Sequence, residues 1–182
     1  PFVGVVAPAS ISAVRATRNR RIGVAGTAAT VSSGSFVRTI GKIDPEISVF
    51  TKACPLFVNI VEEGYFSKAD PLPALVTERY LEPLKQADVD TLILGCTHFP
   101  MLSEVISEYM GEKVTLINAG EETAKTAKAA LEADGLLNDG QRTGKSEFFV
   151  SDRPEGFSRI AEVFLGKKIS GDVTAIDWSD VL

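Results

Sequence analysis

Cys96, Thr97 and His98 follow one another directly after Gly95, where the apolar run Leu92-Ile93-Leu94 stops. A thiol, a hydroxyl and the only imidazole of the chain fall within three residues. Phe99-Pro100 then leads into a stretch patterned as a helix. A cysteine at the carboxyl end of a buried strand, where a helix begins, sits among backbone N–H groups and the positive end of a helix dipole. Those groups favour thiolate over thiol, so this is a place for a reactive sulfur rather than a packing one. The bland alternative, a small buried hydrophobe, fits such polar neighbours poorly. Zinc is a weaker reading: Cys96 and His98 supply two ligands, and Cys54 alone does not complete a tetrahedral set at a recognisable spacing.

A second segment has the same placement. Gly26-Thr27-Ala28-Ala29-Thr30 follows the strand-like run Ile22–Ala25 and precedes a helical pattern from Val31. Two hydroxyls and several N–H groups around one turn suit a carboxylate or a phosphate. Equally, Thr27 caps its helix and Thr30 bonds back along it. Both readings stand on the residues alone. Cys54, in Ala53-Cys54-Pro55, has no polar neighbour beyond Lys52 and reads as packing. Glu62-Glu63 closes the helical pattern Leu56–Tyr65, and such pairs usually face solvent. The apolar residues before it (Leu56, Phe57, Val58, Ile60, Val61) leave room for one carboxylate to turn inward, where its pKa would rise.

The elements that position these residues alternate. Near-continuous apolar runs at Phe2–Ala7, Arg21–Ala25, Ile47–Thr51, Thr91–Leu94, Val114–Ile117 and Glu147–Val150 read as strands covered on both faces. Helical patterns lie at Ser10–Thr17, Val31–Lys42, Leu56–Tyr65, Leu72–Lys85, Met101–Met110, Glu121–Ala133 and Glu155–Leu165. Ser10 and Ser103 stand near helix starts, Pro55 and Pro100 at first turns, Gly111 and Gly135 beyond helix ends. This alternation predicts an α/β fold with an open parallel sheet flanked by helices. Leu136–Ser146 is a polar break whose GQRTGKS resembles the end of a phosphate loop. Its glycines have the wrong spacing and a strand follows, so it reads as a surface turn.

Composition narrows the classes. The 182 residues are 45% hydrophobic and 24% charged, enough for a real core, with a net charge of -5 that argues against a nucleic-acid footprint. The short basic cluster Arg15–Arg21 reads as a solvated helix face. No apolar run approaches the roughly 20 residues of a membrane helix. Two cysteines without an export signal predict a reduced, cytoplasmic chain. Pro1-Phe2-Val3-Gly4-Val5-Val6 reads as a strand already in progress, which suggests that further sequence precedes it.

Four stretches resemble the glutamate racemase family, in the same order and over nearly the whole chain. They are RIGVAGTAAT–SSGSF, ACPLFVNIVEEG, LGCTHFPML and the closing FFVSDRPEGFSRIAEVFLG. The cysteine and ACPLFV motifs are specific, whereas G-T-x-x-T alone is not. That family removes the α-proton of glutamate with one cysteine thiolate and returns a proton to the opposite face from a second, without a cofactor. The resemblance implies that Cys96 is one base, supported or protonated by His98, with Glu62 beside the site. Thr97, Thr27 and Thr30 match positions that bind the substrate's carboxylate and amine ends. No metal is implied. The substrate is glutamate, with no nucleic acid or membrane as partner, and the assembly is a homodimer.

The departures are also informative. The family's C-N-T segment with the other cysteine, its early Asp-Ser and its P-Y-G loop are not in this chain, and Cys54 matches a non-catalytic cysteine. Its V-x-E-P-G segment reads here as Val6-Ala7-Pro8-Ala9-Ser10. The resemblance therefore implies a complete α/β domain over residues 1–120. It implies that residues 121–182 are the C-terminal segment of a second, incomplete α/β domain. It further implies D-glutamate supply for peptidoglycan by the whole enzyme, and no racemisation by this fragment alone. An aspartate- or hydantoin-type racemase and a non-catalytic amino-acid-binding module are the alternatives.

Overall fold

The computed structural model describes residues 2–138, 140, 144–151, 154–169 and 173–177. The chain divides into two compact units, Pro1–Leu137 and Asn138–Leu182. In the first, four strands form an all-parallel sheet: β1 (Arg21–Gly26), β2 (Ser48–Ala53), β3 (Thr91–Gly95) and β4 (Thr115–Asn118), in spatial order β2-β1-β3-β4. Alternate residues of the central strands feed two cores, as the period of two demands. Ile22 and Val24 of β1 and Ile93 of β3 join Phe36 and Ile40 on one face. Ala25, Leu92 and Leu94 join Phe57, Leu81 and Ile106 on the other. Helices α1 (Val6–Ala16), α3 (Ser35–Ile43) and α7 (Ala119–Ala133) lie with the first core, while α4 (Pro55–Glu62), α5 (Pro71–Gln86) and α6 (Ser103–Met110) lie with the second. The expected open parallel α/β sheet is what forms.

The strand order creates the site. From β1 the chain moves outward to β2, then returns past β1 to place β3 on its other side. Connections leaving β1 and β3 therefore diverge to opposite faces of the sheet and open a crevice between their carboxyl ends. Gly26 and Gly95 are partners in the register, so Thr27 and Cys96 emerge side by side.

Some expectations need correction. Phe2–Ala7 is not a strand: Phe2 is 98% exposed, and helix α1 already begins at Val6. Pro8 fits a first helical turn, which needs no amide hydrogen there, and Ala9 and Ala13 bury one face at an i, i+4 spacing. Ser10 therefore lies buried within the helix instead of near its start, and its hydroxyl has no hydrogen-bond partner among the described residues. The single helix expected over Val31–Lys42 is two, α2 (Ala28–Ser33) and α3. Gly34 separates them at φ 61°, donating its N–H to the Val31 carbonyl at 3.1 Å. A left-handed residue ends a helix at little cost when it is glycine.

At the opposite, amino end of the sheet Asp90 ties α1 to β3. Its Oδ2 accepts the amides of Arg18 and Asn19 at 2.6 and 2.7 Å, and its Oδ1 accepts the hydroxyls of Thr17 and Thr91 at 2.7 and 3.0 Å. Burial alone would raise its carboxyl pKa, but those bonds to the ionised form hold it below the usual value.

Helix α7 makes its contacts within the first unit, with α1, β3 and β4. The second unit contains β5 (Phe148–Val150), α8 (Pro154–Leu165) and β6 (Val173–Ala175). The two strands are parallel, Phe148 opposite Val173, and the rings of Phe148 and Phe157 lie 5.8 Å apart. Strand β6 has no counterpart in the sequence reading, since three residues carry no period. The polar break Leu136–Ser146 falls partly outside the described residues; those described are exposed and irregular. Among the described residues no helix is long and apolar enough to cross a membrane.

Candidate active site

Strand β3 ends at Gly95, and Cys96 begins a tight turn in which its carbonyl accepts the Phe99 amide at 3.2 Å. A single 3-10 turn, Phe99–Leu102, intervenes before α6. The α-helical N-terminus expected beside Cys96 is thus displaced by several residues, because the proline-bearing turn comes first. The nearest polar partner is instead the imidazole. Cys96 Sγ lies 3.8 Å from His98 Nδ1, and Thr97 Oγ1 lies 3.4 Å from the same nitrogen. The other ring nitrogen, Nε2, is 3.0 Å from Glu62 Oε1 at the end of α4.

That chain of contacts assigns the protons. A carboxylate only accepts, so the hydrogen between Glu62 and His98 sits on Nε2. Nδ1 of the neutral ring then keeps its lone pair toward the thiol. The imidazole can receive the Cys96 proton, and Glu62 faces the cation that forms. His98 is 19% exposed and Glu62 40%, so the pair is sheltered without being sealed. Cys96 itself is half-buried, whereas Thr97 is exposed.

On the neighbouring strand end Thr27 does cap α2: its Oγ1 accepts the Thr30 amide at 3.2 Å, and the two hydroxyls lie 3.0 Å apart. Both open readings of this turn are therefore compatible, since capping leaves the hydroxyl pair at the crevice. Two glycines make room for it. A Cβ on Gly26 would lie 2.9 Å from Thr30 Cγ2, and one on Gly95 would lie 3.1 Å from the Ala25 carbonyl and 3.6 Å from the same methyl. Thr30 thus packs over both glycines, joining the threonine turn to the base of the cysteine turn.

Cys54 does not join this group. It is fully buried, its thiol points to the Lys52 carbonyl at 3.6 Å, and burial pushes its pKa up to about 12 against a smaller opposing effect of the Lys52 charge. Among the described residues no three His, Cys, Asp or Glu side chains gather as a metal site would require. The sequence reading missed the support behind the site. Phe57 and Phe99, both fully buried, meet edge to face with centroids 5.0 Å apart, and Phe57 meets Tyr80 the same way at 5.5 Å. Only the shared apolar character of these residues was visible beforehand.

Residues 1–127 match the family model described as Asp/Glu/Hydantoin racemase. The chain is 44% identical over 173 residues to a glutamate racemase of Geobacter metallireducens, covering 95% of this chain and 63% of that protein. Among solved structures, glutamate racemase isoform RacE1 of Bacillus anthracis superposes with a TM-score of 0.88 at 36% identity, over 97% of this chain and 65% of that one. The glutamate racemase of Francisella tularensis, solved in complex with D-glutamate, gives 0.87 at 28% identity, over 99% and 65%. The chain thus spans just under two thirds of the length of these relatives. With the model matched across the whole sheet and its crevice, the chain belongs to the Asp/Glu/hydantoin racemase family.

Proposed function

We propose that this chain carries one of the two bases of a cofactor-independent glutamate racemase, with Cys96 as that base. The observation that supports it is the run of contacts from Cys96 through His98 to Glu62, at the carboxyl-end crevice of the sheet. In the proposed step the Cys96 thiolate takes the α-proton of glutamate. The C–H bond breaks, an S–H bond forms, and the electron pair passes into the carboxylate-conjugated carbanion. A proton delivered to the opposite face completes the inversion. His98 holds or returns the proton that makes Cys96 a thiol or a thiolate, and Glu62 orients the ring. Thr27, Thr30 and Thr97 bind the carboxylate and amine ends of the substrate, where fixed donors spread the charge of the planar intermediate.

One sulfur on one face cannot serve both enantiomers, and the buried Cys54 does not qualify as the second base. The opposite-face base belongs, in this reading, to the remaining third of the relatives' length. Residues 121–182 then contribute to the second α/β domain that bears it. The relatives' names support glutamate as substrate. D-Glutamate supply for peptidoglycan, a cytoplasmic setting and a homodimer follow from the same family reading.

The test is exchange of the α-hydrogen with solvent deuterium, in this chain and in the longer enzyme, with D- and L-glutamate. The longer enzyme exchanges both isomers and this chain at most one. Rapid exchange of both by this chain defeats the one-base assignment. A panel of aspartate, hydantoins and glutamate given to the longer enzyme decides the substrate.

A further inference from the structure

We propose that Cys96, His98 and Glu62 form a nucleophilic centre that hydrolyses small activated acyl esters and thioesters through an acyl-Cys96 intermediate. This activity is distinct from the proton transfer to glutamate proposed above. A nucleophile, a base and a group that orients the base stand in series. Cys96 Sγ lies 3.8 Å from His98 Nδ1, and His98 Nε2 lies 3.0 Å from Glu62 Oε1. Acyl transfer by a thiol needs that series, because the proton must leave the sulfur, be held and then be handed on. The sulfur-bearing residue is half-buried and Thr97 beside it is exposed, so the centre is open to a small electrophile and to water.

The Cys96 thiol gives its proton to Nδ1 as the sulfur attacks the carbonyl carbon, forming a C–S bond and an oxyanion. The imidazolium then faces the Glu62 carboxylate. A protonated Nδ1 no longer accepts, so the Thr97 hydroxyl, 3.4 Å from that nitrogen, is released to donate to the oxyanion. The oxyanion collapses, the bond from carbon to the leaving oxygen or sulfur breaks, and the leaving group takes the proton from Nδ1. Water next gives a proton to Nδ1 while its oxygen attacks the thioester carbon. The C–S bond breaks, the carboxylic acid departs and the sulfur regains the proton. Ester and water become acid and alcohol, and a thioester becomes acid and thiol, with no other reactant. Aryl esters and thioesters are the substrate class because their leaving groups are stable anions, which asks little of the Thr97 hydroxyl.

The experiment gives this chain p-nitrophenyl acetate and follows nitrophenolate release, with peptide mass mapping of the acetyl group. Wild type releases a burst of one equivalent, carries the acetyl group on Cys96 and then turns over steadily. Cys54 stays unmodified, since it is fully buried. Folded wild type alkylated at Cys96 with iodoacetamide loses both burst and turnover, which spares the test any dependence on how a cysteine variant folds. His98→Asn still acetylates slowly to one equivalent, as a bare thiolate does, but its turnover falls about 100-fold. Glu62→Gln keeps the full burst, which a disrupted site would lose, and its turnover falls about tenfold with the charge facing the imidazolium. It carries the test if His98→Asn does not fold.

Acetylation of Cys96 that stops after one equivalent overturns the proposal. So does turnover that survives alkylation of Cys96, or turnover in His98→Asn or Glu62→Gln equal to that of wild type. No glutamate enters this experiment. A failure of deuterium exchange with glutamate therefore removes the racemase reading without touching the acyl-transfer centre. An acetyl-Cys96 that never hydrolyses removes the acyl-transfer centre and leaves the racemase reading, which needs only proton transfer at the sulfur.

Discussion

Replacing Asp90 tests whether the amino end of the sheet is held by one carboxylate. Asp90 is 9% exposed and its carboxylate accepts four hydrogen bonds, two from backbone amides. Asp90→Asn can keep all four: its amide oxygen takes the Arg18 and Asn19 N–H groups, and its NH2 donates to the two threonine hydroxyls. What it loses is charge assistance, about 1 kcal/mol per backbone bond, part of which is offset because no charge is buried. The expected cost is about 1 kcal/mol. Asp90→Ala leaves both amides and both hydroxyls to find water, for an expected cost of about 3 kcal/mol. At roughly 2–4 °C per kcal/mol for a chain of this size, the alanine variant melts roughly 10 °C lower.

The pH dependence carries a definite sign. The folded carboxyl titrates below its ordinary value, so its contribution is complete above about pH 4, the unfolded value, and fades as pH falls through the lower folded one. Thermal unfolding by circular dichroism, from neutral pH downward, should therefore show wild type and Asp90→Ala converging in acid. A gap of constant size across that range, or an alanine variant as stable as wild type, refutes the account of this junction.

Thiol reactivity separates the two cysteines: native alkylation followed by mass spectrometry is expected to modify Cys96, with Cys54, buried and with its pKa near 12, reacting only after unfolding. Stoichiometric native labelling of Cys54 contradicts its placement in the core. Gly26→Ala pushes a methyl against Thr30; about 1–3 kcal/mol of overpacking outweighs about 0.4–1 kcal/mol of chain entropy gained. The variant should therefore melt lower, which differential scanning calorimetry measures. Glu62→Gln keeps the shape of the His98 contact but not the charge facing an imidazolium, so kcat of the longer enzyme should fall about 100-fold with KM little changed. An unchanged kcat removes Glu62 from the proposed chemistry.

Local patterns in the sequence were enough to place the chemistry at strand ends. Ile22–Ala25 and Thr91–Leu94 announced themselves because strands covered on both faces are apolar without interruption. The segments after them are polar because they must leave the sheet. Cys96 and His98 lie two residues apart, and Thr27 and Thr30 three, so any turn that follows a strand brings each pair together. The start of the chain misled for the same local reason: Val3, Val5 and Val6 carry β-branched side chains, yet in α1 the alanines beyond them pack helically, and packing outweighs propensity.

Tertiary structure decided what is distant in the chain. The bond from Glu62 to His98 spans 36 residues and exists because α4 and the β3 turn fall on the same side of the sheet. The crevice itself depends on β3 returning past β1, and strand order is a matter of which faces bury together, which no local period encodes. Gly26 and Gly95 acquire their meaning only when the parallel register sets them opposite each other under Thr30. The sequence alone thus determined which groups could act and at which strand ends they lie. Their distances and partners came from packing, because long-range contact is set by the burial of whole faces and not by the neighbours of any one residue.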